Sequence, residues 1–241
     1  MRPFLKTAAI ALSLFTLGSM QLAQASIVID GTRVIYDGKK KEVTVTLTNN
    51  NKAPVLIQNW IDDGEQKAAP EKITVPFILT PPINRVDPGK GQTLRISYTG
   101  APALPTNKES VFWLNVLEIP AKQKNATEDA SRLSIAFRSR IKLFYRPAGL
   151  AGDPLQAPLQ LKWQVTDGGV NVTNPSAYHV SLSTVTYKSG GKTVEAPGNM
   201  IAPGATQHYS FAGVNVTTVN QVTYSAINDY GSLVEQQAKT N

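Results

Sequence analysis

The residues of this chain that could carry chemistry are few and scattered. No cysteine occurs among its 241 residues, which excludes disulfide scaffolds, thiolate nucleophiles and Cys-ligated zinc or iron–sulfur centres together. Imidazole comes only from His179 and His208. A metal held by both would need carboxylates from elsewhere, and no His-Glu-x-x-His spacing supplies them. A serine nucleophile on a strand-to-helix elbow requires Gly-x-Ser-x-Gly, which is absent. Gly190-Gly191-Lys192-Thr193 ends like a phosphate-binding loop, but the upstream glycine is replaced by Thr186 and no helix follows, so it reads as a hairpin turn. Asp62-Asp63 and Glu65 form an acidic turn without the ligand spacing of a calcium loop. The expectation is an all-β binding protein with no catalytic residues, metal or cofactor.

Charge points to export more than to a polyanionic partner. The 24 Lys and Arg against 17 Asp and Glu give a formal +7. Arg2 and Lys6 precede an apolar run from Ala8 to Leu17 and a polar stretch ending Ala23-Gln24-Ala25. This is the order of a secretory signal, with cleavage expected after Ala25. The apolar run is far shorter than the ~20 residues that cross a bilayer, so no membrane insertion is expected. The remaining Lys and Arg are dispersed, and the one run, Lys39-Lys40-Lys41 after Asp37-Gly38, reads as a solvated hairpin turn. No nucleic-acid partner is implied. Asn125-Ala126-Thr127, Asn171-Val172-Thr173 and Asn215-Val216-Thr217 match the glycosylation tripeptide, which matters only in a eukaryotic secretory host.

Short strands separated by Gly, Pro, Asn and Asp clusters fill the rest. Glu42 to Asn49 places Val43, Val45 and Leu47 on one face and threonines on the other. Similar strands are expected at Val55–Ile61, Gln92–Tyr98 and Val111–Ile119, with breaks at Asp87-Pro88-Gly89 and at Pro81-Pro82, a pair that can host a cis bond. Ser131 to Tyr145 is the longest alternating run, with Leu133, Ile135, Phe137, Ile141 and Leu143 on one face and Arg132, Ser134, Arg138, Arg140 and Lys142 on the other. The polar stretch Ala121 to Ala130 before it reads as a mobile loop. Pro147 to Pro158 breaks the pattern, and four further strands are expected around 170–173, 180–187, 207–211 and 222–227. Such spacing predicts two β-sandwiches, over residues 26–147 and 148–241, after a signal peptide of residues 1–25.

Four segments carry a resemblance to a known family. The run Leu104-Pro105-Thr106-Asn107-Lys108-Glu109-Ser110-Val111-Phe112-Trp113-Leu114-Asn115-Val116-Leu117-Glu118-Ile119-Pro120 resembles the signature of periplasmic pilus-assembly chaperones. Arg140 to Pro147 resembles that family's end of domain one, Ala226 to Gly231 its second-domain motif, and Gly31-Thr32-Arg33 its first strand. The absence of cysteine and the ten-residue loop are similar to the short-loop members. The resemblance implies two immunoglobulin-like sandwiches set at an angle around a cleft. It further implies a periplasmic chaperone that binds, folds and caps pilus or fimbrial subunits by donating a strand, then delivers them to an outer-membrane usher.

By the same resemblance, Arg33 and Lys142 anchor the C-terminal carboxylate of the client pilin, and Leu133, Ile135 and Phe137 enter its open groove. Glu109, Arg146 and Asp229 form an interdomain ionic cluster. A fixed carboxylate would set the register, since a one-residue slip turns every side chain to the opposite face. An apolar edge strand of this kind is an aggregation hazard unless something covers it. Two other readings remain at this point: an immunoglobulin-like pilin or adhesin subunit, and an exported enzyme, for which no acid, base and nucleophile converge.

Overall fold

A computed structural model describes residues 27–120 and 135–240, so the expected leader, the loop expected at 121–130 and Leu133 lie outside the described residues. The first half contributes β1 (Ile27–Ile29), β2 (Arg33–Asp37), β3 (Glu42–Asn49), β4 (Val55–Asp62), β5 (Phe77–Thr80), β6 (Ile83–Val86), β7 (Gly91–Tyr98), β8 (Ser110–Pro120) and β9 (Phe137–Arg146). They form two sheets, β1-β3-β7-β5 and β2-β9-β8-β4-β6. The second half contributes β10 (Lys162–Thr166), β11 (Gly169–Thr173), β12 (Val180–Ser189), β13 (Lys192–Pro197), β14 (Met200–Ile201), β15 (Thr206–Ser210), β16 (Val222–Ile227) and β17 (Leu233–Gln237). Here β10-β11-β15 faces β13-β12-β16-β17, with β14 paired to β12.

Alternation explains both cores. Val45 and Leu47 on β3 and Leu94 and Ile96 on β7 turn inward to meet Ile57 on β4, Leu114 and Val116 on β8 and Leu143 on β9. Rings of Tyr36, Phe77, Tyr98, Phe112 and Tyr145 fill one end of that core at centroid separations of 4.4–6.5 Å. Val172, Val180, Leu182, Val185, Val222 and Tyr224 build the second core. Each half is an immunoglobulin-like sandwich.

A buried asparagine closes the same corner of each sandwich. Asn49, at the end of β3, donates through Nδ2 to the carbonyls of Ala53 and Val86 at 3.0 and 2.9 Å. Asn174, just after β11, donates to those of Tyr178 and Ile201 at 2.7 and 2.9 Å. Gly190 and Gly191, both at positive φ, close the β12–β13 hairpin.

Two local expectations are corrected. Lys39 to Lys41 are exposed, but β2 and β3 do not form a hairpin. Instead β2 pairs parallel to β9, and the turn carries the chain across to the other sheet. The cis bond near the Pro81-Pro82 pair lies between Thr80 and Pro81, and a second one precedes Pro102.

Candidate functional site: a cationic cleft beside an open strand edge

The site grows from the two faces of β9. Odd positions follow the sandwich interior: Leu143 and Tyr145 are buried, Ile141 is half-buried, and Phe137 and Ile135 emerge at 64% and 52% exposure. One apolar face thus starts in the domain's own core and ends in solvent. Even positions form the opposite face, where Arg138 and Arg140 contact Gln66, Asp62 and Trp113 of the first domain and Lys142, Phe144 and Arg146 contact the second.

Pairing leaves part of this strand open. Antiparallel β8 runs along all of it, from Glu118 opposite Phe137 to Ser110 opposite Tyr145. On the other side, parallel β2 begins only at Arg33 opposite Lys142. Among the described residues, Phe137 to Ile141 therefore keep one backbone edge unpaired, and that edge carries exposed apolar side chains.

The same register sets Arg33 beside Lys142, both half-buried. Arg33 donates through Nη1 to the carbonyl of Ile227 at 3.0 Å and lies 6.0 Å from the Phe144 ring centre. Lys142 donates to the Ser181 hydroxyl at 3.4 Å. Neither has a carboxylate at ion-pair distance among the described residues. Burial pushes the Lys142 ammonium below the ordinary lysine range, and the neighbouring Arg33 charge pushes it further. Burial likewise lowers Arg33, while the more distant Asp229 and Glu109 pull it back up. Two partly desolvated cations with no carboxylate at ion-pair distance among the described residues, at the wall of a cleft of about 680 Å³, form a receptor for an anion. A guanidinium fork with an ammonium beside it suits a carboxylate.

Two other cations of this face, Arg140 and Arg146, are matched by carboxylates, while exposed Arg138 donates to the Gln66 carbonyl at 3.0 Å. Arg140 pairs with buried Asp62, its Nε 3.2 Å from Oδ2, and lies 4.5 Å over the Trp113 ring. Burial alone would raise Asp62, but hydrogen bonds from Arg140, Asn115 and the Gly64 amide hold it below the usual carboxylate range. The acidic turn is thus tied into this wall of the cleft. Arg146 donates to Glu109 at 2.7 Å and, with two nitrogens, to Asp229 at 2.6 and 2.7 Å. Burial opposes its charge, yet both carboxylates raise its pKa well above the ordinary arginine value. Glu109 is fully buried and accepts from the backbone and ring nitrogens of His179 at 2.8 and 3.0 Å, while its own amide donates to Ala177.

Of the residues singled out from sequence, Arg33 and Lys142 meet at one register position, and Glu109, Arg146 and Asp229 meet at the domain junction. Ile135 and Phe137 lie at the open edge. Sequence reasoning missed His179 as the second partner of Glu109 and Arg140 as the partner of Asp62. These pairs are 70 and 78 residues apart, so no local spacing announces them.

Comparison with known proteins places both sandwiches in one family. The N-terminal domain of pili and flagellar-assembly chaperones matches residues 26–151, and the C-terminal domain of pili assembly chaperones matches residues 156–238. A probable fimbrial chaperone of Escherichia coli, YadV, is 45% identical over 221 residues, 89% of this chain and 90% of that one. The crystal structure of the Pseudomonas aeruginosa CupB2 chaperone superposes with a TM-score of 0.76 at 37% identity, covering 89% of this chain and 100% of that one. A chain in the Salmonella enterica complex of SafA pilin with the SafB chaperone gives 0.72 at 25% identity, covering 88% and 95%. The two sandwiches, their order and the extent of these matches agree: the chain belongs to the pili assembly chaperones.

Proposed function

We propose that this chain acts in the periplasm, after loss of a leader ending at Ala25, as a non-catalytic chaperone for pilus or fimbrial subunits. It holds a client pilin by adding the edge of β9 to it, and it passes that pilin to an outer-membrane usher. The carrying observation is the juxtaposition on one strand of an open backbone edge, exposed Ile135 and Phe137, and the uncompensated pair Arg33 and Lys142. Strand addition is an established mode of chaperone–pilin recognition. Side chains at 133, 135 and 137 fill the groove of the pilin, each contributing about 1.5–3 kcal/mol before ordering costs. The terminal carboxylate of the pilin sits between Arg33 and Lys142. Glu109, Arg146 and Asp229 set the angle of the two domains, whose boundary falls at Pro147.

Support for the chaperone reading over a pilin comes from the family and from two sandwiches that each bury a core of their own. A non-catalytic role is supported by the pairing of Asp62, Glu109 and Asp229 with arginines. The test exploits the two faces of the strand. Ile135→Glu should block co-purification of a co-expressed pilin, whereas Ala136→Glu, on the opposite face, should retain most of it. Equal loss in both variants would overturn strand addition.

A further inference from the structure

The two cations of the cleft meet the second domain along one row of residues. Ser181 on β12, Ile227 on β16 and Leu233 on β17 are direct partners in the register of that sheet, so their side chains share one face. Leu182 and Ala226, the chain neighbours of the first two, point into the second core, which turns the row outward to the first domain. Each of the two inner members holds one cation. The Ser181 hydroxyl accepts from Lys142 at 3.4 Å, and the Ile227 carbonyl accepts from Arg33 at 3.0 Å. The outer member is left open. Exposure rises along the row from 3% at Ser181 to 63% at Leu233, although Leu233 is a large apolar side chain lining the same cleft as Arg33 and Lys142. The other second-domain residues of this wall are small: Gly231, and Ser183 at the register shift between Leu182 and Thr184.

We propose that Leu233, with Ile227 beside it, receives the side chain of the last residue of a client pilin, and that this side chain is apolar. The inference rests on the chaperone reading and deepens it. The first domain takes the backbone and the terminal carboxylate, while the second selects the kind of residue that carries that carboxylate. Continuity with the anchor supports this occupant. A carboxylate held by Arg33 and Lys142 is one bond from the α-carbon that bears the last side chain, and β2 closes the way forward along the strand. The side chain therefore emerges beside the wall to which both cations are bonded. There it meets an uncharged, exposed leucine, and covering that leucine removes apolar surface from water on both partners. A side chain turned the other way would meet Ile141 and Trp113 of the first domain, and the experiment separates the two directions.

The experiment uses the full mature chain and three peptides that share a pilin's C-terminal sequence but end in Leu, Ala or Gly, each with a free and an amidated terminus. Calorimetry should show the Leu-ended peptide binding at least about tenfold more tightly than the Gly-ended one, with Ala between them. In Leu233→Ser that spread should shrink to about twofold, and in Leu233→Met it should persist, since Met keeps the apolar volume. Because Leu233 is an exposed edge residue, both variants should retain the parent's thermal unfolding midpoint. Amidation should weaken the Leu-ended peptide in all three proteins. A spread that survives Leu233→Ser, or no spread in the parent, while amidation still weakens binding, would overturn the proposal and leave the carboxylate anchor standing. Peptides that do not bind, or that bind equally with and without amidation, would overturn the anchor and the proposal together.

Discussion

Arg33 and Lys142 lie opposite each other on adjacent strands, which places two like charges where burial already penalises each of them. A carboxylate between them removes both penalties, so its binding and the proton on Lys142 are linked. Lys142 has a depressed pKa in the free protein, and a bound carboxylate restores it toward the ordinary value. Binding therefore takes up a proton, and affinity for a peptide with a pilin's C-terminus should fall as pH rises through the free-state pKa of Lys142, below the usual lysine range. Lys142→Arg should flatten that profile. At neutral pH, Lys142→Ala should cost about 2–5 kcal/mol, and amidating the peptide's C-terminus should then matter little. Calorimetry on the four combinations measures the coupling, and additive effects would remove the carboxylate from this position. At this scale the sequence was legible only through family motifs. Arg33 taken alone is one more strand-end charge, and nothing near Glu109 in the chain points to His179.

Strands whose two faces differ in polarity could be read directly. Glu42 to Asn49 alternates in the sequence and in its burial, with matching ends. The short β1, β5, β6, β14 and β17 could not, since two to five residues hold too few alternations to stand out from a loop. The longest run, expected from Ser131, is a strand among the described residues only from Phe137, and its periodicity does not say where a shared apolar face leaves the core, between half-buried Ile141 and exposed Phe137. Burial there depends on which neighbouring strand stops first. The corner asparagines also act between elements. Asn174 donates through Nδ2 to the carbonyls of Tyr178, Ile201 and Ala202 and accepts from the Ser176 amide and hydroxyl with Oδ1. Asn174→Ala leaves buried carbonyls without donors, at about 1–3 kcal/mol for each group, and should destabilise the second domain by about 2–4 kcal/mol. Urea denaturation followed by Trp163 fluorescence measures this, and a loss under about 0.5 kcal/mol would rule out the structural role.

Charged side chains recur in the contacts that join the two sandwiches: Arg146 with Asp229, Glu109 with the His179 amide, Arg33 with the Ile227 carbonyl and Lys142 with Ser181. Removing Arg146 leaves Glu109 buried with only His179 as partner, so Arg146→Ala should destabilise the junction by about 3–5 kcal/mol. Solution scattering should then report a wider spread of domain angles while both cores remain folded. Glu109→Gln in the same chain should recover part of the loss, because the stranded charge is gone; no recovery would show that Arg146 acts through packing on Tyr178 instead. A second constraint is steric. Gly231, at φ +82°, a conformation that strains any L side chain, turns so close to Thr32 that an added Cβ would lie 2.5 Å from its hydroxyl oxygen and would have to displace it. The domain angle was not readable from the chain, because it depends on pairs more than 80 residues apart, such as Arg146 and Asp229. The start of β2 opposite Lys142 has a consequence for whatever lies along the open edge. Any polypeptide paired there and running toward Arg146 meets β2 head-on, and must end or leave the plane of the sheet. The opening is thus a blind slot, sealed at one end by a strand and lined with cations at the seal, and it suits an extended segment that arrives at its own finish.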